Sequence, residues 1–228
     1  MEDGKKMKDS DVLYLDNSVI VVKKKANILS QEDDTGDVSL LTLVKEYIKK
    51  KYNKPGNVYI GLVHRLDRPV SGIMVFARNS KSAARLSKEI RDNKIKKTYI
   101  AVVHGIIKND NGKLTDYLFK KSNGDSIVTT EDKGKLSVLR YRVVDRDYEK
   151  KQTLVEINLE TGRHHQIRVQ FASRGYPLCG DQRYGKLDKT QIALCAYKLE
   201  FVHPISKEIM KFEIPYPSNI YFNNFTKK

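Results

Sequence analysis

The stretch HRLDRPVSG, His64 to Gly72, sets one carboxylate, Asp67, between two permanent cations, Arg65 and Arg68. Cations on either side keep a carboxylate anionic, which suits a nucleophile or general base better than a general acid. In the run that leads in, Val58, Ile60, Leu62, His64 and Leu66 fall on one strand parity. Arg65 and Asp67 fall on the other and so share a surface. Pro69 ends regular pairing, and Ser71-Gly72 opens a new element. Taken alone, the segment also fits an ordinary ion pair in a surface turn. "HRLD" resembles a kinase catalytic loop too, but the aspartate is displaced by one residue. No asparagine follows at the required offset, and the chain has neither a Gly-rich loop nor Asp-Phe-Gly.

A second group of reactive types lies in TGRHHQIRVQFASRGYPLCGDQRYG, Thr161 to Gly185. Its spacing reads as a helix closed by Gly175. Such a helix would put His164 and His165 on one face with Arg168, and Ile167 with Phe171 on an apolar one. Adjacent histidines invite a metal, but no third ligand stands near, and no metal is expected. Capping, stacking or phosphate contact is the simpler use of the pair.

The elements that must position these groups follow from the apolar pattern. VLYLD and SVIVV read as strands joined by a turn at Asp16-Asn17. VSLLTLVKEYIKKKY carries Leu40, Leu41, Val44, Tyr47 and Ile48 at helical spacing, with lysines at its C-terminal end. NVYIGLV and GIMVFAR read as strands. SKSAARLSKEIRDNK reads as a helix capped by Asn79 or Ser80. KTYIAVVHGII, SVLRYRVVDRD, QTLVEINLE, CAYKLEFVHP and MKFEIPYP read as further strands. Lys108 to Lys135, rich in Gly, Asn, Asp and Lys, reads as the most loop-like interior region. Strands outnumber helices in mixed order, so the expected class is α+β with a mixed, mostly antiparallel sheet. One domain over 12–220 is expected, with an extended or disordered 1–11 and a tail at 221–228.

The chain has 228 residues, of which 39% are hydrophobic, enough to bury a sizeable core. Its 43 Lys and Arg against 28 Asp and Glu give a net charge of +15, which favours a polyanionic partner. A lysine-rich soluble surface without a partner gives the same count. No apolar run approaches a membrane span, and no basic amphipathic helix with an aromatic face is present. The charged N-terminus has no apolar stretch behind it, so a cytoplasmic protein is expected. Cys179 and Cys195 stand far apart, without metal or disulfide spacing, and read as buried or half-buried thiols.

HRLDRPVSG, KKTYIAVVHG, the Thr161–Gly185 stretch and LEFVHP occur in an order and spacing that resembles the RluA-type family of RNA pseudouridine synthases. The resemblance runs from about Val12 to Pro217. It implies a mixed sheet core with flanking helices and a central RNA cleft. It implies an isomerase that converts uridine to pseudouridine in structured ribosomal or transfer RNA, without a cofactor. By the same resemblance Asp67 is the nucleophile and Arg65 enters the RNA helix to displace the target base. Tyr99 lines the site beside the base and takes part in proton transfer, and Arg168 pairs with the catalytic carboxylate. Arg68, Arg163, His164 and His165 are assigned to RNA contact. A monomer is expected, with no obligate protein partner.

The chain departs from the family pattern in four places. Val70 stands for the usual Thr, Gln170 for the usual His, and Cys195 for a common His. The "KP-x-G" signature is replaced by KKAN, Lys24 to Asn27. The N-terminal RNA-binding domain of many members is not expected here, so RNA recognition falls to the catalytic domain. A rival reading is a catalytically weak RNA-binding or chaperone protein that retains the fold. A metal-dependent hydrolase built on His164 and His165 is a third.

Overall fold

A computed structural model of the chain describes residues 6–185 and 190–225. In chain order the elements are β1 (Val12–Leu15), β2 (Val19–Lys24), α1 (Leu40–Lys51), β3 (Gly61–Leu62), β4 (Ser71–Ala77), α2 (Ser80–Arg91) and β5 (Lys96–His104). There follow β6 (Asn111–Lys120), β7 (Ser126–Thr129), β8 (Lys135–Asp147), β9 (Gln152–Leu159), α3 (Gln166–Ala172), β10 (Leu194–Val202) and β11 (Ile209–Glu213). This is the α+β class expected, with mostly antiparallel strand pairing and few helices. The residues gather into two compact units, one from Met1–Ile95 and Lys198–Ile214, the other from Lys96–Tyr197 and Pro215–Lys228.

In the first unit β2 pairs antiparallel with β1 on one side and β4 on the other, and β3 adds to β4. The β1–β2 turn is set by Asp16, whose Oδ1 accepts the N–H groups of Ser18 at 2.7 Å and Val19 at 2.8 Å. Val19, Val21, Ile73, Val75, Leu86, Leu199 and Phe201 share one buried cluster. The serine hydroxyl of Ser39 caps α1 by accepting the Thr42 N–H at 3.2 Å. That helix buries Leu40, Leu43, Val44 and Ile48 and ends in Lys49, Lys50 and Lys51, as its macrodipole favours. Asn79 caps α2 in the same way, with 2.8 Å to the Ser82 N–H.

The second unit is built on the antiparallel order β5–β9–β8–β6–β7. Here the reading of Lys108 to Lys135 as loop is overturned. Asn111–Lys120 runs beside β8 from Asn111↔Arg142 to Leu118↔Lys135, and Ser126–Thr129 pairs with its end. The hairpin lies at the margin of the unit, so only Leu114 and Leu118 of β6 are fully buried. Most of the other residues of the strand are polar and Phe119 is exposed, so the apolar alternation that marks a strand is diluted. Cys179 and Cys195 are both buried free thiols, as expected.

Candidate active site

β3 stops at Leu62 and β4 starts at Ser71, so the HRLDRPV segment is without regular strand pairing. The alternation read from the sequence nevertheless persists. Ile60, His64 and Leu66 are buried, Arg65 is exposed, and Asp67 is half-buried. Side-chain and backbone anchors replace the missing ladder. Ser30 Oγ donates to the Leu66 carbonyl at 2.7 Å and accepts the Leu66 N–H at 3.1 Å. The Asn27 N–H donates to the Arg68 carbonyl at 2.8 Å. The Val70 N–H donates to the Asp67 carbonyl at 3.0 Å, which closes a turn on the candidate nucleophile.

The strongest anchor is Lys24, the last residue of β2 and only 1% exposed. Its ammonium donates to the carbonyls of Val70 at 2.7 Å, Arg68 at 2.9 Å and Asp67 at 3.2 Å. A fourth contact, to the Lys25 carbonyl, is 3.3 Å. Burial pulls its pKa down to about 7, against the pull of the Asp67 charge and with the repulsion of Arg68. The turn that carries Asp67 is thus wrapped around one buried cation. The altered KKAN signature keeps the geometry this needs, because Asn27 adopts the left-handed φ of 66° where the family pattern has Gly. Val70 is equally explained: its side chain is buried in the core, and the loop uses its carbonyl.

Lys24→Met is expected to cost about 3 kcal/mol, because it leaves buried carbonyls unpaired. The pH dependence has a definite sign. With the folded-state pKa below the unfolded one, the native state releases its proton first, so Lys24 adds stability as pH rises above 7 towards 10. The gap between the parent and Lys24→Met should therefore widen by about 2 kcal/mol from pH 7 to pH 9. Urea unfolding at both pH values checks this, and an unchanged gap would contradict it.

The two arginines of the motif differ. Arg68 Nη2 lies 2.6 Å from Asp37 Oδ2 in a half-exposed pair, which is worth little in water. Arg65 is exposed and makes no ion pair or side-chain hydrogen bond among the described residues.

In the second unit α3 begins at Gln166, later than the histidine spacing implied. His165 is its N-cap, with φ at 54°, and His164 precedes it. The two histidines therefore do not share a helical face with Arg168, and this corrects the helix read over them. The left-handed turn stacks the imidazoles at 3.7 Å. His164 Nδ1 meets Ser126 Oγ at 3.0 Å, and His165 Nδ1 meets the Tyr184 hydroxyl at 2.7 Å. Among the described residues no three His, Cys, Asp or Glu side chains are grouped to hold a metal. Arg163 Nε donates to the Leu136 carbonyl at 3.0 Å and is otherwise exposed.

Arg168 is 5% exposed and forms a two-pronged pair with Asp181, itself 1% exposed. Nε reaches Oδ2 at 2.8 Å, and Nη2 reaches Oδ1 at 2.7 Å. Burial pushes the Asp181 carboxyl up, but Arg168 and the N–H groups of Arg183 and Tyr184 together hold it below its ordinary value. Gly180, just before Asp181, is required by its own surroundings: at φ 71° a Cβ would lie 2.4 Å from the Gln191 carbonyl oxygen. Tyr99 is buried in β5, in a row with Ile157 of β9 and Tyr141 of β8. Tyr141 meets Phe171 of α3 edge-on at 5.7 Å, so Tyr99 stands on the sheet face that α3 covers. Gln170, the departure from the family's His, is fully buried and donates to Asp116 at 2.7 Å and to the Ser137 carbonyl at 3.2 Å.

Four contributors escaped sequence reading: Lys24, Ser30, Asp181 and Tyr184. One signal was there for Lys24, a cation that closes the apolar run of β2. For the others the partners lie too far apart in sequence to pair by inspection.

Residues 18–173, a span that holds Arg65, Asp67, Tyr99 and Arg168, match the family model described as RNA pseudouridylate synthase. The chain is 32% identical over 213 residues to the uncharacterized RNA pseudouridine synthase YhcT of Bacillus subtilis, covering 92% of this chain and 70% of that protein. It is 33% identical over 232 residues to ribosomal large subunit pseudouridine synthase C of Buchnera aphidicola subsp. Schizaphis graminum, covering 95% and 69%. In fold it is similar to the human RNA pseudouridylate synthase domain containing 4, with a TM-score of 0.77 at 17% identity, covering 92% of this chain and 89% of that one.

Proposed function

The chain belongs to the RNA pseudouridylate synthase family, as an RluA-type isomerase acting on RNA, and from that premise we propose that it modifies specific uridines in structured ribosomal or transfer RNA with Asp67 as its nucleophile. The observation that carries the reading is the turn at Asp67, wrapped around Lys24 and pinned by Ser30. A nucleophile on so fixed a backbone loses little freedom when it meets its target. The names of relatives such as the Buchnera enzyme favour the large ribosomal subunit over transfer RNA as the source of the substrate.

In the proposed reaction the bond from N1 of uracil to C1′ of ribose breaks. Asp67 holds one fragment while the base turns. C5 then bonds to C1′ as the bond to Asp67 breaks, the C5 proton leaves to solvent, and the freed N1 takes up a proton in its place. Arg168 pairs with Asp67 and orients it, and Tyr99 takes part in the proton transfer. The two compact units work as one catalytic domain over 12–220, as a monomer in the cytoplasm without a cofactor. No helix among the described residues is long and apolar enough to cross a membrane.

The target base must leave its stack, at a cost of about a few kcal/mol. Arg65, exposed and without a side-chain partner among the described residues, supplies the wedge, while Arg68, Arg163, His164 and His165 contact the RNA backbone. Arg65→Ala should therefore slow modification of a base-paired target by about tenfold or more, with a smaller effect on the same uridine in an open loop. Rates on the two RNAs measured side by side test this, and equal losses would remove the wedge role. The reading as a whole is tested by mapping pseudouridine across ribosomal and transfer RNA in cells with and without the gene. Loss of one or a few defined positions is expected, and an unchanged map would overturn it.

A further inference from the structure

The Arg168 guanidinium is gripped at one edge by Asp181, and a second residue of the same turn reaches it from another direction. The Tyr184 ring lies 5.1 Å from the guanidinium carbon, within cation–π range. The Tyr184 backbone N–H also donates to Asp181 Oδ1 at 3.2 Å. Its hydroxyl accepts the Ser126 N–H at 2.7 Å and stands 2.7 Å from His165 Nδ1. Burial, with the charges of Arg168, His164 and Arg183, pulls His165 down to about 3 against the opposing pull of Asp181, so its imidazole is neutral. The Tyr184 hydroxyl thus holds two partners, accepting the Ser126 N–H and sharing a hydrogen bond with His165 Nδ1 whose donor is set by the imidazole tautomer. His164 closes the circuit, stacked on His165 and bonded to Ser126 Oγ. Tyr184 therefore ties the start of α3 to the β6–β7 hairpin directly beside Arg168.

We propose that Tyr184 is a positioning residue for this reaction: its ring supports the guanidinium of Arg168, and its hydroxyl locks that ring between Ser126 and His165. The proposal rests on the reading that Arg168 orients the catalytic carboxylate. None of the readings drawn from sequence gave Tyr184 a part. The two halves of its task separate by substitution. Tyr184→Phe keeps the ring and loses both hydroxyl contacts, whereas Tyr184→Leu loses the ring as well.

The test uses the full chain in excess over ribosomal RNA labelled with tritium at uridine C5, prepared from cells lacking the gene. At saturating enzyme the single-turnover rate does not depend on how much of a variant is folded. The expected result is a fall of about tenfold for Tyr184→Phe and about a hundredfold for Tyr184→Leu, with RNA affinity unchanged. The Arg168 Nε–H resonance should shift in both variants. Parent rates in both would overturn the proposal, as would a lowered melting temperature with no change in rate or resonance. Arg168→Lys separates the two levels of the argument. If it is slow while the Tyr184 variants are not, only the role of Tyr184 fails. If it keeps the parent rate, the role of Arg168 fails and takes the proposal with it. Should Tyr184→Leu not fold, Tyr184→Phe alone carries the test, and a parent rate with an unshifted Arg168 resonance in that variant overturns the proposal.

Discussion

Asp67→Asn is expected to lower pseudouridine formation by roughly 10³-fold or more while RNA affinity stays within about twofold of the parent. The side chain keeps its size and can still accept a hydrogen bond, but the amide is not a nucleophile. The loop should hold its shape, because the bonds that fix it run through the Asp67 carbonyl and the backbones of Leu66, Arg68 and Val70. Chemical modification with primer extension reads the product, and filter binding reads affinity. Retained turnover would remove Asp67 from the role of nucleophile. A parallel loss of binding would mean that the substitution had disturbed the loop.

Asp181→Ala is expected to destabilise the fold by about 3–5 kcal/mol, because it strips a buried guanidinium of its two-pronged partner. For a chain of this length that is a fall of roughly 10 °C in melting temperature. The pair also has a pH signature. Asp181 is held below its ordinary carboxylate value, so its contribution is complete above that range and is lost as the pH falls through the lowered value. The parent and Asp181→Ala should therefore differ fully at pH 7 and converge in strong acid. Thermal melts across that range are the check. A variant of parent stability at pH 7 would show that Arg168 does not depend on Asp181.

Much of this was legible in the sequence, for identifiable reasons. The in–out alternation around Asp67 could be read because a half-buried extended segment leaves a period of two even where ladder pairing stops. α1 could be read from its spacing and its C-terminal lysines, and α2 from its cap and spacing. β6 could not, because its two buried leucines stand among Asn111, Gly112, two lysines, Thr115 and Asp116, and that mixture has the composition of a loop. The start of α3 was misplaced because His165 takes a left-handed conformation that its residue type does not advertise. Asp181 was unreadable as the partner of Arg168 for a different reason. Thirteen positions separate them, and the pairing forms only once the chain has left α3 and turned through Gly175 and Gly180, both at positive φ.

The central claim is that the chain isomerises uridine in RNA rather than only binding it. Rejoining the base through C5 must expel the hydrogen held there, so tritium at C5 reports the reaction itself. Ribosomal RNA labelled at that position, from cells lacking the gene, should lose tritium to water when incubated with a catalytic amount of the protein alone. The tritium released should equal the pseudouridine formed, and Asp67→Ala should release none. Tight RNA binding by the parent chain with no release of tritium would contradict the account.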